Sequence, residues 1–277
     1  MLNITKKSTD RILDGHSHAF PDAIAAQAIG ALTEEAKWQP VRAWHDGTVK
    51  GLLDSMDRAG VRRTLLCSIA TRPGQVTKIT DWSAAVASER IVAFASIHPD
   101  FAQPEAEVAR IASLRLAGLK FHPQYQDCPA DAPRIVRIVR AAARHNLAVV
   151  FHAGYDLAFA KTDIASPKRI RNLFEAVPGV RLLACHLGGW EDWEESLRHI
   201  VGQPIYLETS YCLEQCPPDT LHRILDKHPP EYLMFGTDSP WAEQAAELER
   251  FRKLPLSQEA MGRALWENGC RFAGIRA

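Results

Sequence analysis

Short apolar runs alternate along this chain with longer stretches in which apolar residues recur every three or four positions. Several of the runs are rich in Val, Ile, Leu and Phe and show no polar alternation. That composition is typical of strands buried on both faces of a parallel sheet. Eight runs are predicted strands: residues 12–15, 63–69, 91–97, 118–121, 147–151, 180–185, 205–208 and 232–236.

The periodic stretches between the runs predict amphipathic helices. In "PRIVRIVRAAARHN" the apolar residues from Ile135 to Ala142 share one helical face, and the arginines lie mostly elsewhere. Two further stretches begin with Ser-Pro, at Ser166 and at Ser239, which predicts a serine N-cap followed by a proline in the first turn. Other predicted helices cover residues 77–88, 105–114, 191–200 and 218–228.

Eight strands that alternate with helices over about 250 residues predict an α/β fold of the (β/α)8 TIM-barrel type. A doubly wound sheet is the alternative, although no glycine-rich phosphate turn follows the first strand. Without a linker or a shift in composition, residues 1–277 are predicted to form one domain. Residues 20–50, which include Trp38, Trp44 and His45, are predicted to be a long lid or binding loop. The segment from Ser257 onward is predicted to be an extra helix that caps the barrel.

Charge, hydropathy and cysteine content limit the classes of protein to which this chain can belong. The 33 Lys and Arg residues balance the 33 Asp and Glu residues, so no overall field attracts nucleic acid or an anionic membrane. The first residues lack an apolar signal region and no segment is long enough to cross a bilayer, so a cytoplasmic protein is expected. The six cysteines are scattered, which favours reduced thiols. Cys212 and Cys216, with His222 and His228 downstream, form a weak zinc candidate, and ordinary loop cysteines are the favoured interpretation.

The first predicted strand ends in "LDGHSHAF". On a strand His16 and His18 point to the same side and Ser17 to the other, so the two imidazoles could bind one metal. In a (β/α)8 barrel the active site lies at the carboxyl ends of the strands. Four other strand ends carry similar groups: Lys120 and His122 in "GLKFHP", His152 in "VVFHAG", His186 in "LLACHLGG" and Asp238 in "MFGTDSPW".

Each of these polar residues alone has a structural explanation, such as a turn or a hydrogen-bonded histidine. Together they are better explained by a shared metal, because buried polar groups cost several kcal/mol unless something satisfies them. Aromatic residues that follow strand ends could form pocket walls or pack at the rim: Trp190, Trp241, Tyr155 and Tyr211. Glu208, at the end of the seventh strand, is a candidate partner of a ligating histidine.

In this order, "DGHSH", "GLKFHPQYQ", "VVFHAG", "ACHLGGW" and "MFGTDSPW" resemble the amidohydrolase superfamily. The resemblance is closest to its amidohydrolase-related branch, which includes aminocarboxymuconate-semialdehyde decarboxylase, and it extends to the "ENGCRFAG" tail. It implies a distorted barrel with a divalent metal, usually zinc. By position, His16, His18, His152 and Asp238 match the metal ligands, and His186 matches a histidine that approaches the metal-bound water or the substrate.

The resemblance leaves the number of metals open. In binuclear members a lysine of the fourth strand is carboxylated and bridges two metals, and Lys120 lies on a comparable strand. The "KFHP" pattern belongs to the branch, so we expect one metal, with Lys120 and His122 lining the substrate pocket. The resemblance also makes a homodimer an expectation.

The expected reaction is hydrolysis of a small amide, lactone or similar carbonyl compound. A Zn²⁺ ion would lower the pKa of its bound water from about 16 toward about 7. Asp238 would accept the proton of that water, and His186 would be a second proton-transferring group. Lys120 would pair with an anionic group of the substrate.

Two alternatives remain open at this stage. Relatives with nearly the same ligands carry out non-oxidative decarboxylation, for which Lys120, His122 and Arg72 are candidate anion-binding groups. A non-catalytic metal-binding barrel is the least favoured alternative.

Overall fold

The computed structural model describes residues 11–36 and 39–277, and within this part of the chain eight parallel strands form one sheet. The strands are hydrogen-bonded in the order of the sequence, from β1 to β8. Their bounds are β1 Leu13–Ser17, β2 Arg63–Cys67, β3 Ile91–Ala95, β4 Gly118–Phe121, β5 Ala148–Phe151, β6 Leu182–Ala184, β7 Tyr206–Glu208 and β8 Leu233–Met234. All eight predicted strands are therefore confirmed, and most are shorter than predicted.

The sheet closes into a barrel where the chain after β8 meets β1. Gly15 N donates to Phe235 O at 2.8 Å, and Asp238 N donates to His16 O at 2.8 Å. A Cβ atom at Gly15 would lie 2.8 Å from Phe235 O, so glycine is needed for the two backbones to approach this closely. These bonds confirm the (β/α)8 barrel and exclude the open doubly wound sheet.

Helices cover the outside of the barrel between successive strands. The helices are α1 Asp22–Glu35, α2 Val49–Ala59, α3 Val76–Val86, α4 Pro104–Ser113, α5 Pro133–Arg144, α6 Pro167–Ala176, α7 Trp193–His199, α8 Pro218–Lys227, α9 Gln244–Arg252, α10 Gln258–Gly262 and α11 Asn268–Ala273. The predicted apolar face of α5 is buried, including Ile135 and Ile138. Ser166 caps α6 as predicted, because its side chain accepts a hydrogen bond from Arg169 N. Within the described residues, no helix is both long and apolar enough to span a membrane.

The predicted helix start at Ser239 is wrong. Ser239 O accepts a hydrogen bond from His18 N at 2.6 Å, and Ser239 forms a parallel bridge with Ser17. This pairing holds the backbone at Ser239 extended against the chain that leaves β1, so α9 begins five residues later, at Gln244. A local Ser-Pro signal is here overridden by tertiary hydrogen bonds.

The segment between β1 and α2 is not the loop that was predicted. Residues 22–35 form helix α1, and α2 begins at Val49. Trp38 lies outside the described residues. Trp44 is 39% exposed, and His45 Nε2 lies 3.2 Å from Ser239 Oγ.

The predicted helical segment after Ser257 is confirmed. Helices α10 and α11 are joined by a π-helical turn at residues 263–267. Trp266 and Cys270 belong with Leu13 to an apolar cluster that also contains strand residues such as Leu65 and Val150. All six cysteines are buried free thiols, as their scattering predicted.

Candidate metal centre and active-site cavity

A cavity of about 550 Å³ opens at the carboxyl ends of the strands. All seven residues predicted from the sequence to form the site line it: His16, His18, Lys120, His122, His152, His186 and Asp238. The barrel therefore brings side chains from five separate strand ends to one place. The four aromatic residues for which pocket walls and rim packing were the two alternatives line it as well: Trp190, Trp241, Tyr155 and Tyr211.

Three of the four predicted metal ligands form one compact group, which we call the donor cluster: His16, His18 and Asp238. His18 Nε2 lies 3.0 Å and His16 Nε2 3.4 Å from Asp238 Oδ1. Ligands held about 2.1 Å from a metal in tetrahedral or octahedral geometry lie about 3.0 to 3.4 Å apart. The donor cluster thus has the spacing that a metal's coordination shell requires.

The hydrogen bonds of the two imidazoles assign their tautomers. His18 Nδ1 lies 2.7 Å from the carbonyl oxygen of Cys67, which can only accept, so Nδ1 carries the proton. His16 Nδ1 lies 3.2 Å from Glu208 Oε1 and 3.1 Å from Ser210 Oγ, and it donates there. In the neutral form of each ring the Nε2 lone pair would therefore face the Asp238 carboxylate.

Lys120 Nζ lies 3.1 Å from His16 Nε2 and can donate to it, whereas His18 Nε2 faces only the carboxylate oxygen at 3.0 Å, and its lone pair is repelled unless a proton or a metal cation lies between them. Two imidazoles and one carboxylate are a common ligand set for divalent first-row metals. The partner of His16 Nδ1, the fully buried Glu208, also matches the usual carboxylate–histidine–metal arrangement. The contact with a candidate ligand is the predicted one, and the role of Glu208 beside a metal stays a prediction. The residues present therefore fit a divalent metal.

The fourth predicted ligand, His152, lies beside His186. His152 Nε2 donates to Tyr155 O at 2.8 Å, and His186 Nδ1 donates to Ser210 O at 2.9 Å. The remaining nitrogens, His152 Nδ1 and His186 Nε2, face each other at 3.2 Å. Two nitrogens this close repel each other when both carry lone pairs, and a shared proton or a metal between them would remove that repulsion. The role of His152 as a ligand stays a prediction.

Burial sets the protonation of the site. Burial lowers the pKa values of His16 and His152 well below the usual range. The charge of Lys120 lowers the pKa of His16 further, and His122 does the same for His152. Both rings are therefore neutral at pH 7, as metal ligands must be. Burial alone would raise the pKa of Asp238, but His16 and His18 hold it below its usual range, so this carboxyl is ionised.

Lys120 lies under the donor cluster. Its Nζ is fully buried, 3.1 Å from His16 Nε2 and 3.2 Å from Cys185 Sγ. The lysine thus contacts a candidate ligand directly, and its predicted contact with the substrate stays a prediction. Arg72, the other basic candidate, is exposed and is not among the residues that line the cavity.

The two residues predicted to transfer protons have unusual backbones. Asp238 and His186 adopt φ angles of 66° and 59°, in the left-handed region that residues with side chains rarely occupy. Hydrogen bonds fix both, because Asp238 N donates to His16 O and His186 N donates to Glu208 Oε1. Strained residues held in this way concentrate at functional sites.

Sequence reasoning missed Asp156, which pairs with His122. His122 Nε2 lies 3.3 Å from Asp156 Oδ2, and the His122 ring stacks on His152 with centroids 4.1 Å apart. Asp156 lies in the segment between β5 and α6, four residues after His152, so the "HAGYD" spacing was the available signal. Within the described residues, His122, His152 and Asp156 form a second group able to hold a metal, and His16, Cys185 and His186 a third. None of these groups includes Cys212 or Cys216.

Comparison with known proteins identifies the family and the fold. The family model described as amidohydrolase matches residues 14–274. No protein of curated function matches the sequence.

Three solved structures resemble this chain over nearly its full length. A 2,6-dihydroxybenzoate decarboxylase complexed with 2,6-dihydroxybenzoate has a TM-score of 0.71 and 14% identity, covering 96% of this chain and 99% of that one. A mutant 5-carboxyvanillate decarboxylase from Novosphingobium aromaticivorans, with bound manganese and 3-methoxy-4-hydroxy-5-nitrobenzoic acid, has a TM-score of 0.73 and 11% identity, covering 96% and 97%. A probable 2-pyrone-4,6-dicarboxylic acid hydrolase from Acinetobacter baumannii, with citric acid bound, has a TM-score of 0.64 and 15% identity, covering 96% and 100%. Identities this low show a shared fold and no more.

Proposed function

Since the chain belongs to the amidohydrolase family, we propose that it is a metal-dependent, non-oxidative decarboxylase of a small organic carboxylate. The observation that carries the proposal is the donor cluster, where His16 Nε2 and His18 Nε2 converge on Asp238 Oδ1 in the wall of an aromatic-lined cavity. The resemblance to two aromatic-acid decarboxylases favours this reaction over the hydrolysis expected from the sequence.

The donor cluster, with His152 as the further predicted ligand, would hold one divalent metal. When bound, such a metal supplies Lewis acidity that orients and polarises oxygens of the substrate. The identity of the metal is open between Zn²⁺, which the sequence suggested, and Mn²⁺, which the similar 5-carboxyvanillate decarboxylase holds.

In the proposed reaction the bond between the substrate carbon and its carboxylate breaks, and the electron pair stays on the carbon. Carbon dioxide leaves, and a proton is delivered to that carbon. We assign the delivery to His186, whose Nδ1 is fixed on Ser210 O, so that its Nε2 is the nitrogen free to hold the proton. The aromatic side chains of Trp190 and Tyr211 keep the reacting carbon away from bulk water.

Hydrolysis of a lactone or amide is the second candidate, because one similar structure is a probable 2-pyrone-4,6-dicarboxylic acid hydrolase. Both reactions use the same donor cluster, and the products separate them. Decarboxylation releases CO₂ from a carboxylate, and hydrolysis opens a neutral ester or amide bond.

The test incubates metal-loaded protein with hydroxybenzoates, muconate-type acids and pyrone lactones, and measures both CO₂ and ring opening. The proposal predicts CO₂ from at least one carboxylate, and loss of that release in His186→Asn with the metal content unchanged. His222→Asn, an exposed histidine on α8, is the matched control and should behave as the wild type. Ring opening of a lactone without any CO₂ release would instead establish the hydrolase.

Two further expectations accompany this proposal. The six buried free thiols fit a reducing compartment such as the cytoplasm, which we propose as the location.

The homodimer suggested by the family resemblance stays a prediction, and the molecular mass in solution would test it.

A further inference from the structure

We propose that the substrate carries a bulky apolar group, such as a second aromatic ring, which lies against the side of the cavity formed by helices α1 and α3. This inference rests on the proposed function, since it takes the donor cluster as the place where the carboxylate end of the substrate is bound. It adds a substrate class, an amphipathic carboxylate, to the proposed reaction.

Apolar side chains from two helices and the turn after β1 form this side of the cavity. We call them the apolar wall: Phe20, Ile24, Ala28, Leu32, Ile79 and Trp82. Ile24, Ala28 and Leu32 are four residues apart on α1, so they share one face of the helix. Helix α1 thus directs a continuous apolar stripe at the cavity.

The stripe is not covered by the protein's own core. Ala25 is the only buried residue of α1, although most of the helix is apolar. Ile24 is 47% exposed, and Leu32 and Trp82 are partly exposed. Water in contact with apolar surface of this kind costs roughly 25 cal/mol per Å², which an apolar ligand would recover on binding.

Hydrogen bonding holds the stripe over the cavity. Tyr125 Oη, in the segment after β4, donates to Glu35 Oε2 at the end of α1, over 3.1 Å. Tyr125 itself lines the cavity and packs edge-on against His122, with ring centroids 4.7 Å apart. The apolar wall is therefore tied to the residues around the donor cluster.

The cavity is also large enough for more than a single ring. A cavity of about 150 Å³ accommodates a benzene-sized ligand, whereas this one measures about 550 Å³. A monocyclic acid bound at the donor cluster would leave most of the apolar wall in contact with water.

Charge is divided between the two sides of the cavity. The buried or largely buried charged groups, Lys120, Asp156 and Asp238, come from the strand ends and the segment after β5. Helix α3 contributes one charge to the lining, that of Lys78, whose side chain is exposed, so its ammonium group stays in water while its stem lines the rim. The ligand that fits this division is anionic at one end and apolar at the other.

The test measures the affinity of Mn²⁺-loaded protein for salicylate and for 5-phenylsalicylate by titration calorimetry. We expect the phenyl compound to bind at least about 10-fold more tightly, because the second ring covers the apolar wall. Equal affinities for the two acids would overturn the inference.

Matched variants on α1 locate the effect. Ala28→Trp fills the wall and should bring the affinity ratio close to one, whereas Ala26→Trp, at an exposed position outside the cavity, should keep the wild-type ratio. Leu32→Gln should reduce the ratio about threefold without adding bulk. If the two tryptophan variants change the ratio equally, the second ring does not bind at the apolar wall and the inference fails. If the wild-type ratio holds but neither acid releases CO₂ nor any other carboxylate does, the proposed reaction fails and the binding inference stands.

Discussion

The donor cluster and the apolar wall face the same cavity and are built in opposite ways. Around the donor cluster each imidazole has its outer nitrogen fixed by a buried acceptor, such as Cys67 O for His18 and Glu208 for His16. Along the apolar wall, α1 buries only Ala25 and leaves Ile24 47% exposed. The donor cluster is fixed by hydrogen bonds, whereas the α1 part of the apolar wall has little packing behind it and only Ile79 and Trp82 of the wall pack against the core.

This difference separates chemistry from specificity. A group that must hold a metal within tenths of an ångström needs a rigid support, and strand ends provide it. Apolar contacts tolerate small displacements, so a helix on the rim is sufficient to select a substrate. Changes in the donor cluster should therefore abolish turnover, while changes in the apolar wall should alter substrate affinity.

The largest effect is expected when a metal ligand is removed. Asp238→Ala should bind little metal and lose at least about 1,000-fold in CO₂ release. Without the metal, the negative charge that develops on the substrate during the reaction is no longer stabilised. Elemental analysis and CO₂ release check this, with the exposed Asp226→Ala on α8 as control. Wild-type turnover in Asp238→Ala would exclude the donor cluster as the catalytic centre.

A smaller loss should follow when the support of the donor cluster is weakened. Glu208 accepts hydrogen bonds from His16 Nδ1, His186 N and Ser210 N. Glu208→Gln replaces one acceptor oxygen with a donor and should weaken metal affinity about 10- to 100-fold. Competition with a metal-indicator dye measures this, and the exposed Glu249→Gln on α9 serves as control. An unchanged affinity would show that the support is not needed.

Next in size is the effect of removing one aromatic side chain from the apolar wall. Trp82→Ala should raise KM about tenfold and change kcat less than about twofold, because it removes binding that is equal in the ground and transition states. Steady-state kinetics with a two-ring acid checks this, and Trp44→Ala, outside the cavity lining, is the matched control. A fall in kcat with KM unchanged would contradict the division between the two regions.

The smallest effect on activity is expected when Glu247 is substituted, because it lies outside both regions. The substitution should instead change the stability of the protein and its dependence on pH. Burial raises the pKa of Glu247 to about 7, although Arg250 opposes the shift and Glu214 adds to it. The folded protein thus retains a proton that the unfolded chain releases between about pH 4.5 and pH 7, so the free energy of unfolding falls as the pH rises through this range.

Glu247→Gln should remove that dependence. At pH 8 the variant should be about 1 to 3 kcal/mol more stable than the wild type, since it removes a buried charge whose Oε2 has no hydrogen-bond partner among the described residues and whose only ion pair there is the one from Oε1 to Arg250. Urea denaturation at pH 5 and pH 8 measures this, and Glu249→Gln should keep the wild-type pH dependence. Lower stability of Glu247→Gln at pH 8 would show that the carboxylate is stabilising there.

The strands and their terminal residues could be predicted because both depend on short-range pattern. A buried parallel strand must be apolar, so a histidine or aspartate directly after it stands out, as His152 does after β5. Ser166 caps α6 for an equally local reason. Since barrel geometry brings strand ends together, position along the chain sufficed to gather the donor cluster.

The features that were missed depend on contacts between distant segments. Helix α1 lacks a strong amphipathic pattern because little of it packs on a core, so its sequence did not distinguish it from a loop. Asp156 follows no apolar run, and its pairing with His122 joins two different strand–helix segments. The backbone of Ser239 is fixed by His18, more than 200 residues earlier, which no local signal reveals.

The most direct test of the central claim is metal titration of the chelator-treated protein, followed by CO₂ release. We expect no activity without metal, and activity that rises linearly and saturates at about one Mn²⁺ or Zn²⁺ per chain. Full CO₂ release from protein that elemental analysis shows to be free of metal would contradict it, as would saturation only at two ions per chain.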